Sequence, residues 1–274
     1  MIISKAHRTK AIGIFDSGIG GLTVVAEIIK QLPNENVIYF GDTGRYPYGP
    51  RSREIIKRFS RQNINFLLER GVKFIVIACN TASAYALDYV KRMYPVPMIG
   101  VVNPGSEAAA RLTGNGRIGI IGTEGTIASF SYQKALKKID SSFKIIAKPC
   151  PLFVSLAEEG YIDKPAARLI AKDYLSDIKQ KKIDTLVLGC THYPLLKKVI
   201  GSVMGKGVTL IDSAEQTAAV VKDTLTRLEL DNPSKKTGEK RFYVSDSPEK
   251  FKKLGERFLG KRIGKVNLID INAY

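Results

Sequence analysis

The sequence predicts an α/β protein built as two similar parallel-sheet α/β domains with the active site in the cleft between them. Three observations predict it. Apolar runs of strand length alternate with longer amphipathic stretches of helical spacing, the pattern of βαβ units. Two of those runs are copies of one motif: Phe74-Ile75-Val76-Ile77-Ala78-Cys79-Asn80-Thr81-Ala82-Ser83 and Thr185-Leu186-Val187-Leu188-Gly189-Cys190-Thr191-His192-Tyr193-Pro194. Finally, the candidate reactive residues follow strand ends, and open α/β sheets bind ligands beyond the carboxyl ends of their strands.

Taken in order, Ala11 to Phe15 reads as a strand and Asp16-Ser17-Gly18-Ile19-Gly20-Gly21 as a tight turn, with a helix from Leu22 to Leu32 ending at Pro33. Strand, glycine loop and helix suggest a nucleotide site, but the third glycine of a dinucleotide fingerprint and the Gly-Lys-Ser/Thr of a P-loop are both missing. Asp16 would also repel a pyrophosphate; an acid there suits proton handling or an ammonium group. Val37 to Phe40 is a second strand, and Gly41 to Pro50 is a long loop with two tyrosines. A helix over Ser52 to Arg70 leads to the first cysteine strand, Lys73 to Ala78, whose following helix runs to Tyr94.

Pro95-Val96-Pro97 reads as the crossing between domains, with Met98 to Val102 opening a new series of strands. Strands follow at Arg117 to Ile121 and Phe143 to Ile146, then a short segment from Leu152 to Ala157 and a helix from Pro165 to Gln180. The second cysteine strand closes this half. Val208 to Asp212, a helix from Ala214 to Leu228, and strands at Arg241 to Val244 and Val266 to Ile269 complete the chain, the last two flanking a basic helix capped at Ser247-Pro248-Glu249. The predicted division is residues 1–97 plus 212–274 for the domain carrying Cys79, and 98–211 for the domain carrying Cys190.

Each motif places its cysteine where a strand ends and a helix is expected to begin. Unpaired N–H groups and the helix dipole stabilise a thiolate there. A cysteine after an apolar strand is ordinarily a small core residue. Two of them, each followed by polar residues poorly suited to a core, point instead to a pair of thiols across a cleft. Such a pair suits moving a proton from one face of a carbon to the other. Cys150, between Pro149 and Pro151 with no polar followers, reads as structural.

Composition narrows the alternatives. The three cysteines lie far apart, which argues for free thiols, and with no C-x-x-C and only His7 and His192 as imidazoles a metal site is not expected. No apolar run approaches the roughly 20 residues that span a bilayer, and the basic stretch from Met1 to Lys10 lacks a signal-peptide core, so a cytoplasmic protein is expected. The net charge of +17 raises nucleic-acid binding, but the cations are spread and read mainly as solvated faces, so nucleic acid is not the expected partner.

Four motifs then carry a resemblance. Phe15-Asp16-Ser17-Gly18-Ile19-Gly20-Gly21, Gly41-Asp42-Thr43-Gly44-Arg45-Tyr46-Pro47-Tyr48-Gly49, Cys79-Asn80-Thr81-Ala82 and Leu188-Gly189-Cys190-Thr191-His192-Tyr193-Pro194-Leu195 resemble the aspartate/glutamate racemase family, in its glutamate racemases. The likeness runs in order over nearly the whole chain; only the basic tail before Ala11 looks like an extension. It implies a cofactor-independent two-base racemase, a homodimer that supplies D-glutamate for peptidoglycan. By the same resemblance Cys79 acts on D-glutamate and Cys190 on L-glutamate. Asp16 matches the acid beside the first cysteine, His192 the residue assisting the second, and Glu158 a supporting carboxylate, with Glu159 its neighbour. Ser17, Tyr48, Gly49, Asn80, Thr81 and Thr191 match substrate-binding positions, and Thr123 and Thr126 are further candidates for holding a carboxylate. Aspartate and hydantoin racemases share paired cysteines, but the full motif set favours glutamate. A cysteine hydrolase needs one nucleophile, and a pyridoxal enzyme needs a Schiff-base lysine that the motifs do not supply.

Overall fold

A computed structural model describes residues 4–274. The chain begins with α1 (Lys5–Arg8), β1 (Ile12–Asp16), α2 (Leu22–Gln31), β2 (Val37–Gly41), α3 (Arg53–Glu69), β3 (Phe74–Ile77), α4 (Asn80–Lys91) and β4 (Met98–Gly100). A second series follows: α5 (Val102–Leu112), β5 (Arg117–Gly122), α6 (Glu124–Ala128), α7 (Ser131–Ile139), β6 (Lys144–Pro149), α8 (Leu152–Glu158) and α9 (Pro165–Gln180). It closes with β7 (Thr185–Gly189), a 3₁₀ turn (Tyr193–Leu196), α10 (Lys197–Met204) and β8 (Thr209–Asp212). The chain then returns through α11 (Ser213–Arg227), β9 (Lys240–Val244), α12 (Pro248–Leu259) and β10 (Val266–Leu268).

Every strand pairing is parallel, in two sheets of order β10-β9-β2-β1-β3-β4 and β6-β5-β7-β8. The order β2-β1-β3-β4 reappears as β6-β5-β7-β8, so β1 corresponds to β5 and β3 to β7. The repeated motif is therefore a repeat of topology. Cys79 and Cys190 leave equivalent central strands at the point where the strand order reverses, the usual ligand position in such sheets. Helices cover both faces, which is why β1, β2, β3 and β7 are fully buried and mostly apolar, Asp16 at the end of β1 and Thr185 at the start of β7 being exceptions. No helix among the described residues is long and apolar enough to cross a membrane.

Four expectations change. Met98–Gly100 does not open the second sheet: Met98, Ile99 and Gly100 lie in register with Ile75, Val76 and Ile77 of β3, so this strand forms the edge of the first sheet. The prolines at 95 and 97 mark the return from α4, and the chain crosses only after Gly100. Cys190 does not sit at an α-helix N-terminus, because a turn and the Tyr193–Leu196 3₁₀ turn intervene before α10. Ser247 adopts a left-handed backbone (φ 50°) and makes no side-chain cap, leaving the start of α12 to Pro248. Within the basic tail, residues 1–3 lie outside the described residues; the part that is described forms α1, capped by Ser4.

At the end of β3 opposite Cys79, Lys73 is buried against Glu35: its Nζ donates to Glu35 Oε2 at 2.6 Å and to the Arg8 carbonyl at 2.5 Å. Glu35 Oε1 accepts from the Asn232 amide at 2.6 Å, so this pair ties α1, the start of β2 and the α11–β9 connection together. Removing one partner strands the other charge. Lys73→Met should lower unfolding free energy by about 3 kcal/mol in denaturant titrations while leaving activity per folded molecule near wild type; an equal loss of activity in fully folded protein would contradict a purely structural role.

Candidate active site

A cleft of about 320 Å³ opens between the two sheets and is lined by Ser17, Tyr48, Gly49, Cys79, Asn80, Thr81, Thr123, Glu158, Cys190, Thr191 and His192. These eleven were singled out in the sequence; seven further lining residues were not. Of the remaining candidates, Asp16 lies beneath Ser17 with no exposure, and Thr126 supports the wall through hydroxyl contacts to Thr81 and Thr123 at 3.2 and 3.0 Å. Among the described residues, neither lysine nor arginine lines the cleft.

On the first wall, Cys79 is the N-cap of α4, its sulfur accepting from the Ala82 amide at 3.5 Å and lying 3.7 Å from Ser17 Oγ. The helix end favours a thiolate, as expected, but burial acts against it more strongly. Burial, with the Asp16 carboxylate adding to it, pushes the Cys79 thiol up to about 12. Asp16 is itself raised by burial, although His192 and backbone amides including Gly18 N at 2.9 Å favour its anion. Two acids thus compete for one negative charge in a buried site.

The second wall is built differently. Cys190 Sγ lies 3.8 Å from His192 Nδ1, and His192 Nε2 lies 2.9 Å from Glu158 Oε1. Burial disfavours the imidazolium, but hydrogen bonds and charge interactions with Cys190 and Glu158 outweigh it and raise His192 to about 10. Burial likewise works against the Glu158 carboxylate, yet the bond to His192 holds it below its ordinary range. Tyr46 stacks against the imidazole with centroids 6.3 Å apart, and Phe258 from α12 meets it edge-on at 5.2 Å.

Contacts between the walls set their spacing. Thr191 Oγ1 donates to Asp16 Oδ1 at 3.5 Å, and Thr23 Oγ1 on α2 donates to the Thr191 carbonyl at 3.1 Å. The glycine loop serves this approach: a Cβ on Gly20 would lie 2.5 Å from His192 Nδ1. Gly20 thus admits the opposite wall, where a phosphate loop would admit a pyrophosphate.

Part of the polar surface between the thiols is uncharged. Thr81, Thr123 and Thr126 form a hydroxyl cluster with Thr81–Thr123 at 2.9 Å. Asn80 Oδ1 accepts from Tyr132 Oη at 2.7 Å, leaving its buried Nδ2 without a protein partner among the described residues. Tyr48 contributes its ring and backbone. Its hydroxyl is occupied by Asp42 and by Asn63 Nδ2, and Asp42 also takes Arg45 Nη2 at 2.7 Å, which pins the loop.

Sequence reasoning missed Tyr46, Pro47 and Pro50 of that loop, and Glu124, Pro151, Val154 and Ser155. Helical phase was the available signal for the last group: Pro151, Val154, Ser155 and Glu158 share one face at the start and along α8. The same phase selects Glu158 over Glu159. Cys150 is fully buried in an apolar cluster beside Phe153 and Tyr193, outside the cleft.

The His192–Glu158 pair has a pH signature. His192 is raised from 6.5 to about 10, so its contribution to stability is complete below 6.5 and disappears as pH rises through about 10. Glu158 is lowered from 4.5, so its contribution is complete above 4.5 and is lost as pH falls through its folded value. The Tm difference between wild type and Glu158→Gln should therefore be largest between roughly pH 4.5 and 6.5 and shrink towards pH 10; a difference constant across that range would mean the imidazolium is not what Glu158 holds.

The family model for Asp/Glu/Hydantoin racemase matches residues 12–221. A glutamate racemase of Geobacter metallireducens is 51% identical over 264 residues, covering 96% of this chain and 98% of the relative. The crystal structure of a glutamate racemase isoform from Bacillus anthracis superposes with a TM-score of 0.93 at 40% identity, covering 96% of this chain and 98% of that one. That of the Francisella tularensis glutamate racemase in complex with D-glutamate gives 0.92 at 40% identity, covering 97% and 100%. The chain belongs to the Asp/Glu/Hydantoin racemase family.

Proposed function

We propose that the protein interconverts L- and D-glutamate by two-base proton transfer without a cofactor, with Cys79 and Cys190 as the bases. The observation that carries this reading is the pairing of two cysteines at equivalent strand ends on opposite walls of one ligand-sized cleft. Relatives covering nearly the whole chain carry the glutamate activity, which favours glutamate over aspartate or a hydantoin.

In the D-to-L direction, the Cys79 thiolate takes the α-proton: an S–H bond forms as the C–H bond breaks, and the electron pair moves into the adjacent carboxylate. The Cys190 thiol then gives its proton to the opposite face of that carbon and is left as thiolate. The reverse direction exchanges the roles. An α-proton beside a carboxylate is a very weak acid, so the site must be dry and supply donors for the developing charge. The threonine hydroxyls, the free Asn80 amide and the α4 N-terminus supply them. The ammonium of an entering amino acid beside Ser17 and Asp16 supplies a positive charge next to Cys79. On the other wall His192, held by Glu158, assists Cys190.

The same reading takes the protein to be cytoplasmic, homodimeric and a source of D-glutamate for peptidoglycan, the positive surface having no nucleic-acid role. Purified protein incubated with either glutamate enantiomer, with no pyridoxal phosphate added, should drive optical rotation towards zero. Cys79→Ser and Cys190→Ser should each lower kcat at least about a thousandfold, and Cys150→Ser should keep most of it. Undiminished racemisation in either of the first two would overturn the assignment.

A further inference from the structure

We infer that Arg257, on α12 and outside every motif, is a positioning residue for the His192–Glu158 pair: by binding the last carbonyls of α8 it fixes where the Glu158 carboxylate meets the imidazole. Its Nη1 donates to the Glu158 carbonyl at 2.9 Å and to the Ala157 carbonyl at 3.4 Å. A helix end leaves carbonyls unpaired and carries partial negative charge, and α8 has no basic residue in its own last turn. The cation comes instead from a helix of the other lobe.

The chain turns immediately afterwards at Gly160, with φ 75°, where a Cβ would sit 2.8 Å from Arg257 Nη1. Glu158-Glu159-Gly160 thus has a physical reason: the glycine supplies both the left-handed turn and the space in which the guanidinium lies. The next residue of α12, Phe258, packs edge-on against His192. One turn of α12 therefore touches both members of the pair, Arg257 through the backbone of Glu158 and Phe258 through the imidazole face.

The sign of a charge effect separates positioning from simple proximity. Cys190, Glu158 and Asp16 face His192 as acids, while Tyr46 and Lys250 act on Glu158. Removing a nearby cation would by itself raise the His192 midpoint. Losing the Glu158 contact would lower it.

The chain has two histidines, so ¹⁵N-imidazole NMR titration resolves His192 from His7 without reference to activity. Arg257→Met keeps the aliphatic stem; its thermal unfolding is checked against wild type, and Glu158→Gln gives the full effect of losing the carboxylate. Arg257→Met should lower the His192 midpoint by about one pH unit and kcat by about tenfold with a smaller change in KM, and Arg257→Lys should restore most of both. A midpoint unchanged or raised in Arg257→Met with native-like unfolding, or in Arg257→Gln if the Met variant does not fold, would overturn the inference. The kinetic arm rests on the racemase reading. If wild type does not racemise glutamate but the midpoint falls as expected, that reading fails and the positioning role stands.

Discussion

Both motif cysteines leave the carboxyl ends of buried parallel strands, and that placement is the constraint on which the rest depends. A parallel strand has its neighbours fixed by slanted hydrogen bonds on both sides, so the residue after it cannot shift without disturbing the sheet. β3 lies between β1 and β4, and β7 between β5 and β8. With the same strand order in both sheets, facing the two carboxyl edges brings equivalent positions to one cleft. The glycines near these ends follow from the same closeness. Gly20 lets His192 approach, and a Cβ on Gly189 would lie 2.8 Å from the Ile121 carbonyl on the neighbouring strand.

Equivalent positions do not produce equivalent chemistry. Cys79 is a helix N-cap beside a buried carboxylate, and burial together with Asp16 holds its proton. Cys190 has no helix cap and instead faces an imidazole whose pKa its own sulfur and then Glu158 raise. One wall therefore disfavours negative charge and the other accommodates it.

The fold was largely legible because its signals are local. Apolar runs such as Phe74 to Ile77 and Thr185 to Gly189 are of strand length, and the residues after them are poor core formers. The strand at Met98 was assigned to the wrong sheet because Pro95 and Pro97 resemble a boundary, whereas sheet membership is decided by pairing with β3, which leaves no trace in the local sequence. In the site, residues within motifs were legible and those brought by tertiary packing were not. Phe258 and Arg257 lie on a basic amphipathic helix whose sequence describes only its own two faces. The Cys79 thiol was misjudged for a related reason: a helix N-terminus is visible in sequence, but burial beside Asp16 is not, and burial has the larger effect.

The central claim is that two thiols act on opposite faces of one carbon, and isotope incorporation in deuterated water tests it most directly. A thiol that has exchanged with solvent delivers deuterium, while the opposite thiol holds the proton just removed. D-glutamate should therefore yield L-glutamate carrying deuterium at Cα from the first turnovers, and recovered D-glutamate should stay protiated over the same interval. L-glutamate that retains the original α-hydrogen in those turnovers would contradict the account.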